Sequence, residues 1–129
     1  MNLARLLTIH SIVTFAAGVV LMAAPGFIPS TVGINVEPKA YLICYLLGAA
    51  ELGLAFLSYF SIGIKDANAL RVIVWTFIVF HTSSAVVEIL AYVQGLSAAI
   101  WGNIAIRIVV VTLFAYYGPY KISHKASAE

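Results

Sequence analysis

Six side chains of this chain could carry chemistry: His10, Glu51, His81, Glu88, Asn103 and Arg107. Two carboxylates, two imidazoles, an amide and a guanidinium can together move protons, hold a polar ligand or pair with one another. Each lies within a long apolar run, far from most of the other charges. Cys44 is the only cysteine and reads as a small packing residue, so no disulfide framework or multi-cysteine metal site is expected.

The runs that hold these residues dominate the composition. Of 129 residues 63% are hydrophobic and 9% charged, against roughly 45–50% and about 25% in an ordinary soluble domain. With a mean hydropathy of +1.04, the chain reads as neither a soluble globular protein nor a disordered one. Its few cations are scattered, which argues against a nucleic-acid partner and for the lipid bilayer. A single integral membrane domain is expected over residues 1–129.

A helix needs about 20 mostly apolar residues to cross roughly 30 Å of hydrocarbon. Four such runs are legible, at residues 6–24, 40–62, 69–93 and 98–117. They are too long, and too free of alternation, for barrel strands. Asp66 or Asn68 is the expected N-cap of the third, and Gly118-Pro119 closes the fourth. The first run is longer than the 7–15 apolar residues of a signal peptide and contains His10 and Thr14, so a retained helix is expected. Short connections at residues 63–68 and 94–97 force neighbours to run antiparallel, predicting an all-α, up-down-up-down four-helix bundle. The longer connection, Pro25 to Pro38, is expected to form an ordered external cap.

On that layout Arg5, Lys65, Arg71, Lys121 and Lys125 share one side, while the other carries Lys39 beside Glu37. The bias places both termini in the cytoplasm, for a multi-pass protein of the plasma or inner membrane. Tyr41, Tyr59, Trp75, Tyr92, Trp101, Tyr116, Tyr117 and Tyr120 fall near span ends, where aromatic rings anchor at the headgroups.

At about 1.5 Å per residue, Glu51, His81 and Arg107 all fall near the middle of their spans. Glu88 lies roughly 10 Å further out on the face of His81, and Asn103 one turn out from Arg107. His10 lies roughly 7 Å from the centre, near enough to the inner interface to be hydrated. Small or polar residues recur at helical spacing in each span: His10, Thr14 and Gly18; Cys44, Gly48, Glu51, Ala55 and Ser58; His81, Ser84, Ala85 and Glu88; Ala99, Asn103 and Arg107. Such stripes should face one another.

An ionised side chain at the centre of a lipid-facing helix costs about 2.5–3.5 kcal/mol, so three would cost on the order of 8–10 kcal/mol unpaired. They must pair. Arg107 keeps its charge and needs a carboxylate, with Glu51 the expected partner by depth and Glu88 the second choice. The carboxylate left over, Glu88, is then expected to be protonated or hydrogen-bonded to a protonated His81. Contacts of this kind could equally serve only to lock the helices in register.

Little established chemistry matches. Bis-histidine haem ligation needs two histidines at matching depth, and His10 and His81 are offset. The Glu-x-x-His repeats of di-metal bundles are missing, and Arg107 opposes a divalent ion between Glu51, Glu88 and His81. No cofactor or metal is expected, nor is a nucleophilic triad or nucleotide loop legible. Small multidrug transporters share this length but carry their glutamate in the first span, where this chain has no acidic residue.

The layout resembles the DoxX-like group of small four-helix membrane proteins. The likeness rests on Ala24-Pro25-Gly26-Phe27, on Leu47-Gly48-Ala49-Ala50-Glu51-Leu52-Gly53-Leu54, on Ala69-Leu70-Arg71 and on Ile106-Arg107-Ile108. It implies a four-helix bundle, and in some members an association with quinol-oxidising complexes. The stretch from Trp75-Thr76-Phe77 through His81 to Glu88 is also similar to small scaffold proteins of sterol synthesis. The leading expectation is a polar intramembrane pocket that binds a small amphipathic ligand, or an accessory subunit of a membrane complex, with self-association a further expectation. A proton-coupled carrier using Glu88 or Glu51, and a quinone- or lipid-related redox or enzyme subunit, are the alternatives.

Overall fold

The structure, a computed structural model, describes residues 2–120. Met1 and residues 121–129, including Lys121 and Lys125, lie outside it, as do the side chains of Pro119 and Tyr120. Among the described residues every regular element is helical: α1 (Leu3–Ala23), α2 (Phe27–Thr31), α3 (Tyr41–Ser61), α4 (Ala67–Val93) and α5 (Ile100–Ala115). A 3₁₀ turn, Pro38–Ala40, leads into α3, and a π-helical turn, Tyr116–Tyr120, follows α5. Four stretches are long and apolar enough to cross a membrane: Leu3–Ala23, Pro38–Ser61, Ala67–Val93 and Ile100–Gly118. The protein is thus a small polytopic membrane protein by length and composition.

Helix ends follow local chemistry. The Asn2 side chain accepts from the Arg5 N–H at 2.9 Å, so α1 begins three residues before the expected start. Asp66 caps α4 by accepting from the Asn68 N–H at 2.9 Å. Gly33 and Gly95 sit at φ +81° and +103° just past α2 and α4. In each, paired bonds close the helix, Ile34 N–H to Pro29 and Gly33 N–H to Ser30, then Leu96 N–H to Ala91 and Gly95 N–H to Tyr92. This is the Schellman arrangement, whose left-handed residue favours glycine. Gly33 lies against Ser97, so the Pro25–Pro38 connection meets the α4–α5 connection; within it only Pro25 is buried.

The four long helices pack as two pairs, α1 along α3 and α4 along α5, with few backbone contacts between the pairs. In the first seam Gly18 meets Gly48 and His10 meets Ser58. In the second Asn103 meets Glu88, Phe114 meets Phe77, and Gly118 lies against Val74. Residue numbers climb on one helix as they fall on its neighbour. A Cβ on Gly18 would lie 2.9 Å from the Gly48 carbonyl oxygen, and one on Gly48 3.0 Å from that of Gly18. The backbones approach as closely as two glycines permit, which maximises dispersion contact where lipid supplies no hydrophobic drive.

Side chains bridge the two pairs. Leu6, Leu7, Val74, Phe77, Ile78 and Phe114 form one buried apolar cluster, drawn from the start of α1, the first half of α4 and the end of α5. The outer faces are apolar and unpacked, with Val93 76%, Ile43 70% and Phe60 69% exposed, as a lipid solvent permits. Tyr92 and Trp101 meet edge to face at 5.4 Å across the α4–α5 turn.

Candidate functional site

The expected polar stripes of α1 and α3 are buried: His10, Thr14 and Gly18 on the first, Cys44, Gly48, Glu51, Ala55 and Ser58 on the second. On α4 His81 is buried and Glu88 half-buried. On α5 the expectation shifts by one position. Its buried face is apolar, Ile100, Ile104 and Phe114, with Arg107 half-buried at the edge and Asn103 exposed.

These residues meet in a continuous line. Ser58 Oγ lies 2.6 Å from His10 Nδ1, and His10 Nε2 lies 2.9 Å from His81 Nε2. His81 Nδ1 lies 3.4 Å from Arg107 Nη1. The Arg107 Nε–H donates to Glu88 Oε1 at 2.8 Å, and the Asn103 amide donates to the same oxygen at 2.6 Å. A guanidinium only donates, so facing Arg107 the His81 Nδ1 must accept. His81 then carries its proton on Nε2 and donates to His10 Nε2, and His10 donates from Nδ1 to Ser58. Arg107 thus fixes both tautomers from one end, an assignment by donor logic.

Two expectations are corrected here. His10 is not open to water: it is 5% exposed and bonded directly to His81. Because α1 begins at Leu3, its midpoint shifts toward the N-terminus and His10 comes closer to mid-span. Phe77 and Phe114 flank the His10 ring at centroid distances of 4.7 and 5.1 Å, and both are fully buried. The apolar cluster therefore closes the interior below His10.

The second correction concerns the ion pair. Arg107 bonds to Glu88, not to Glu51. Depth alone favoured Glu51, but α5 packs along α4, and a long arginine can bridge the two turns between His81 and Glu88. Glu88 therefore faces a guanidinium rather than a protonated His81. The side chains of Arg107 and Glu88 are 19% and 14% exposed. The pair is one-pronged: Glu88 Oε2 is buried with no hydrogen-bond partner among the described residues.

Glu51 becomes the carboxylate left over. It is 9% exposed and makes no hydrogen bond among the described residues, although the Arg107 charge acts on it. Ser58, not singled out from the sequence as a site residue, is the terminal partner of the histidine line; the α3 stripe was its signal. Among the described residues no group of three or more His, Cys, Asp and Glu could hold a metal ion.

Grooves open on the outer surface of each helix pair. One of about 380 Å³ lies between α1 and α3, lined by Ser11, Ile12, Phe15, Ala16, Ala55, Phe56 and Tyr59. The other, of about 170 Å³, lies between α4 and α5, lined by Thr82, Ala85, Arg107, Ile108, Val111 and Thr112. Only the second reaches the polar line, at Arg107. No protein-family model, curated protein or solved structure matches the chain.

Proposed function

We propose that this polytopic membrane protein binds a small amphipathic ligand in its interior, with Glu88, Arg107 and Asn103 as the polar contact. It does so either alone or as an accessory subunit of a larger membrane complex. In this reading the helices run up-down-up-down with both termini cytoplasmic. Arg5, Lys65 and Arg71 support that orientation, since the one cation opposite, Lys39, is neutralised by Glu37 at 2.8 Å. The DoxX-like resemblance supports the four-span layout.

One observation carries the reading, the buried Oε2 of Glu88, which has no partner among the described residues. An Arg–carboxylate pair that only ties two helices together is strongest when both oxygens are used. Leaving a buried acceptor empty costs about 1–3 kcal/mol, which a ligand's donor would recover. Native mass spectrometry of the full chain in mild detergent tests this. A small-molecule adduct is expected on the wild type and not on Glu88→Gln. A bare wild-type peak under conditions that retain bound lipid would remove the reading.

The line from Ser58 through His10 to His81 supports a second reading, a proton-coupled carrier, because imidazoles both accept and donate. Substrate uptake into proteoliposomes driven by a pH gradient, and lost in His81→Phe, is the expected signature.

A further inference from the structure

The Arg107–Glu88 pair is a fork with one prong closed. A side-on pairing of arginine with a carboxylate sets two parallel bonds, from Nε–H and from the Nη2–H beside it, onto the two oxygens. Here Nε–H holds Glu88 Oε1 and Nη1 lies against His81 Nδ1, while Nη2 makes no hydrogen bond among the described residues. Glu88 Oε2 is the matching loose end, enclosed and without a donor among the same residues; Nη2 is not enclosed. Arg107 lines the α4–α5 groove, and Glu88 is reached from it past the guanidinium that it holds. The groove carries a second loose polar group. Thr76, Ser83 and Ser84 on α4 each donate to a backbone carbonyl one turn back, but Thr82, which lines the groove, makes no hydrogen bond among the described residues. A hydrocarbon chain alone would satisfy none of these atoms.

We propose that the α4–α5 groove takes an amphipathic alcohol from the bilayer, its hydroxyl seated between Arg107 Nη2 and Glu88 Oε2. This rests on the ligand-binding reading and names the entrance and the chemical class that the reading leaves open. A hydroxyl accepts from Nη2–H and donates to Oε2, so one neutral group closes the second prong and leaves the ion pair's charges balanced. Other head groups fail on one side. An ammonium donates to Oε2 but offers nothing to Nη2–H. A carboxylate accepts from Nη2–H but sets its charge against Glu88. An ether or ketone accepts and leaves Oε2 without a donor. The apolar body lies along Ala85, Ile108 and Val111. At about 170 Å³ the groove is smaller than the roughly 300–1,000 Å³ of sites for drug-sized ligands, which suits a single chain better than a ring system.

The test uses the full chain in lipid nanodiscs and a dodecanol that carries a photoreactive diazirine midway along its chain, with the labelled residues mapped by mass spectrometry. Saturable labelling is expected along the α4–α5 groove. Plain dodecanol should displace the probe at about one-tenth the concentration that dodecyl methyl ether needs, the size of one hydrogen bond to a charged group. The ether keeps the acceptor and lacks the donor, so this comparison stands in the wild type even if a variant fails to fold. Ala85→Leu, which fills the groove and leaves the ion pair in place, should abolish the labelling. Glu88→Gln should bring alcohol and ether to equal potency. Equal potency in the wild type would overturn the alcohol and leave ligand binding intact. Labelling that survives Ala85→Leu would overturn the groove, and a preference for the alcohol that survives Glu88→Gln would overturn the seat at Oε2. With no saturable labelling the proposal falls; native mass spectrometry of the same sample then shows an adduct if the broader reading stands and a bare peak if both fall.

Discussion

The interior divides into a histidine region and a glutamate region that solve the same problem in opposite ways. Around His10 and His81 all four ring nitrogens have partners within 3.4 Å, and Phe77 and Phe114 close in on the His10 ring. Around Glu51 and Glu88, one carboxylate is bonded through a single oxygen and the other through neither. The two regions share Arg107, which bonds to both. A finished polar network rigidifies a core, whereas an unfinished one costs free energy and persists where something else completes it. The difference separates a scaffold from a site.

Breaking the shared residue should have the largest effect. Arg107→Met leaves Glu88 as an unpaired buried carboxylate and is expected to destabilise the protein by about 3–5 kcal/mol, measured by denaturation in mixed micelles. Adding Glu88→Met should recover most of that loss. If the single and double variants are equally damaged, the ion pair is not what joins the two regions.

Next in size is the seam that holds the histidine region in register. Gly48→Leu would drive a side chain into Gly18 and Leu21, where even a Cβ has only about 3 Å. A loss of about 1–3 kcal/mol is expected as a lowered Tm, the ordinary cost of overpacking. Ser58→Ala removes the acceptor at the far end of the histidine line and strands the His10 Nδ1–H. It should cost about 1–2 kcal/mol and broaden the His10 ring resonance in nuclear magnetic resonance spectra.

The smallest effect sharpens the comparison most. Glu51→Gln replaces a carboxyl group that no described residue pairs with directly, so stability should stay within about 1 kcal/mol of wild type or rise. A large loss in this variant would mean that Glu51 belongs to the finished scaffold.

Much of this was legible in the residues. The four apolar runs, the Asp66 cap, and the stripes of α1 and α3 follow from hydropathy and 3.6-residue periodicity, and the structure has them. The pairing of Arg107 was not legible. Span midpoints rank partners by depth, but a flexible arginine reaches across a turn, and which carboxylate it meets depends on which helix packs beside α5. The depth of His10 was not legible in the apolar run, because the Asn2 cap, four residues before the expected start, begins the helix earlier.

Sequence alone determined that the chain must live in lipid, cross it as helices and bury a handful of charges. Those conclusions depend on transfer free energies and helical repeat, which are local. Only the tertiary structure decided which charges meet. Two helix pairs with sparse backbone contact between them leave the joining to side chains, and there a few ångströms give the guanidinium to Glu88 and leave Glu51 without a direct partner among the described residues.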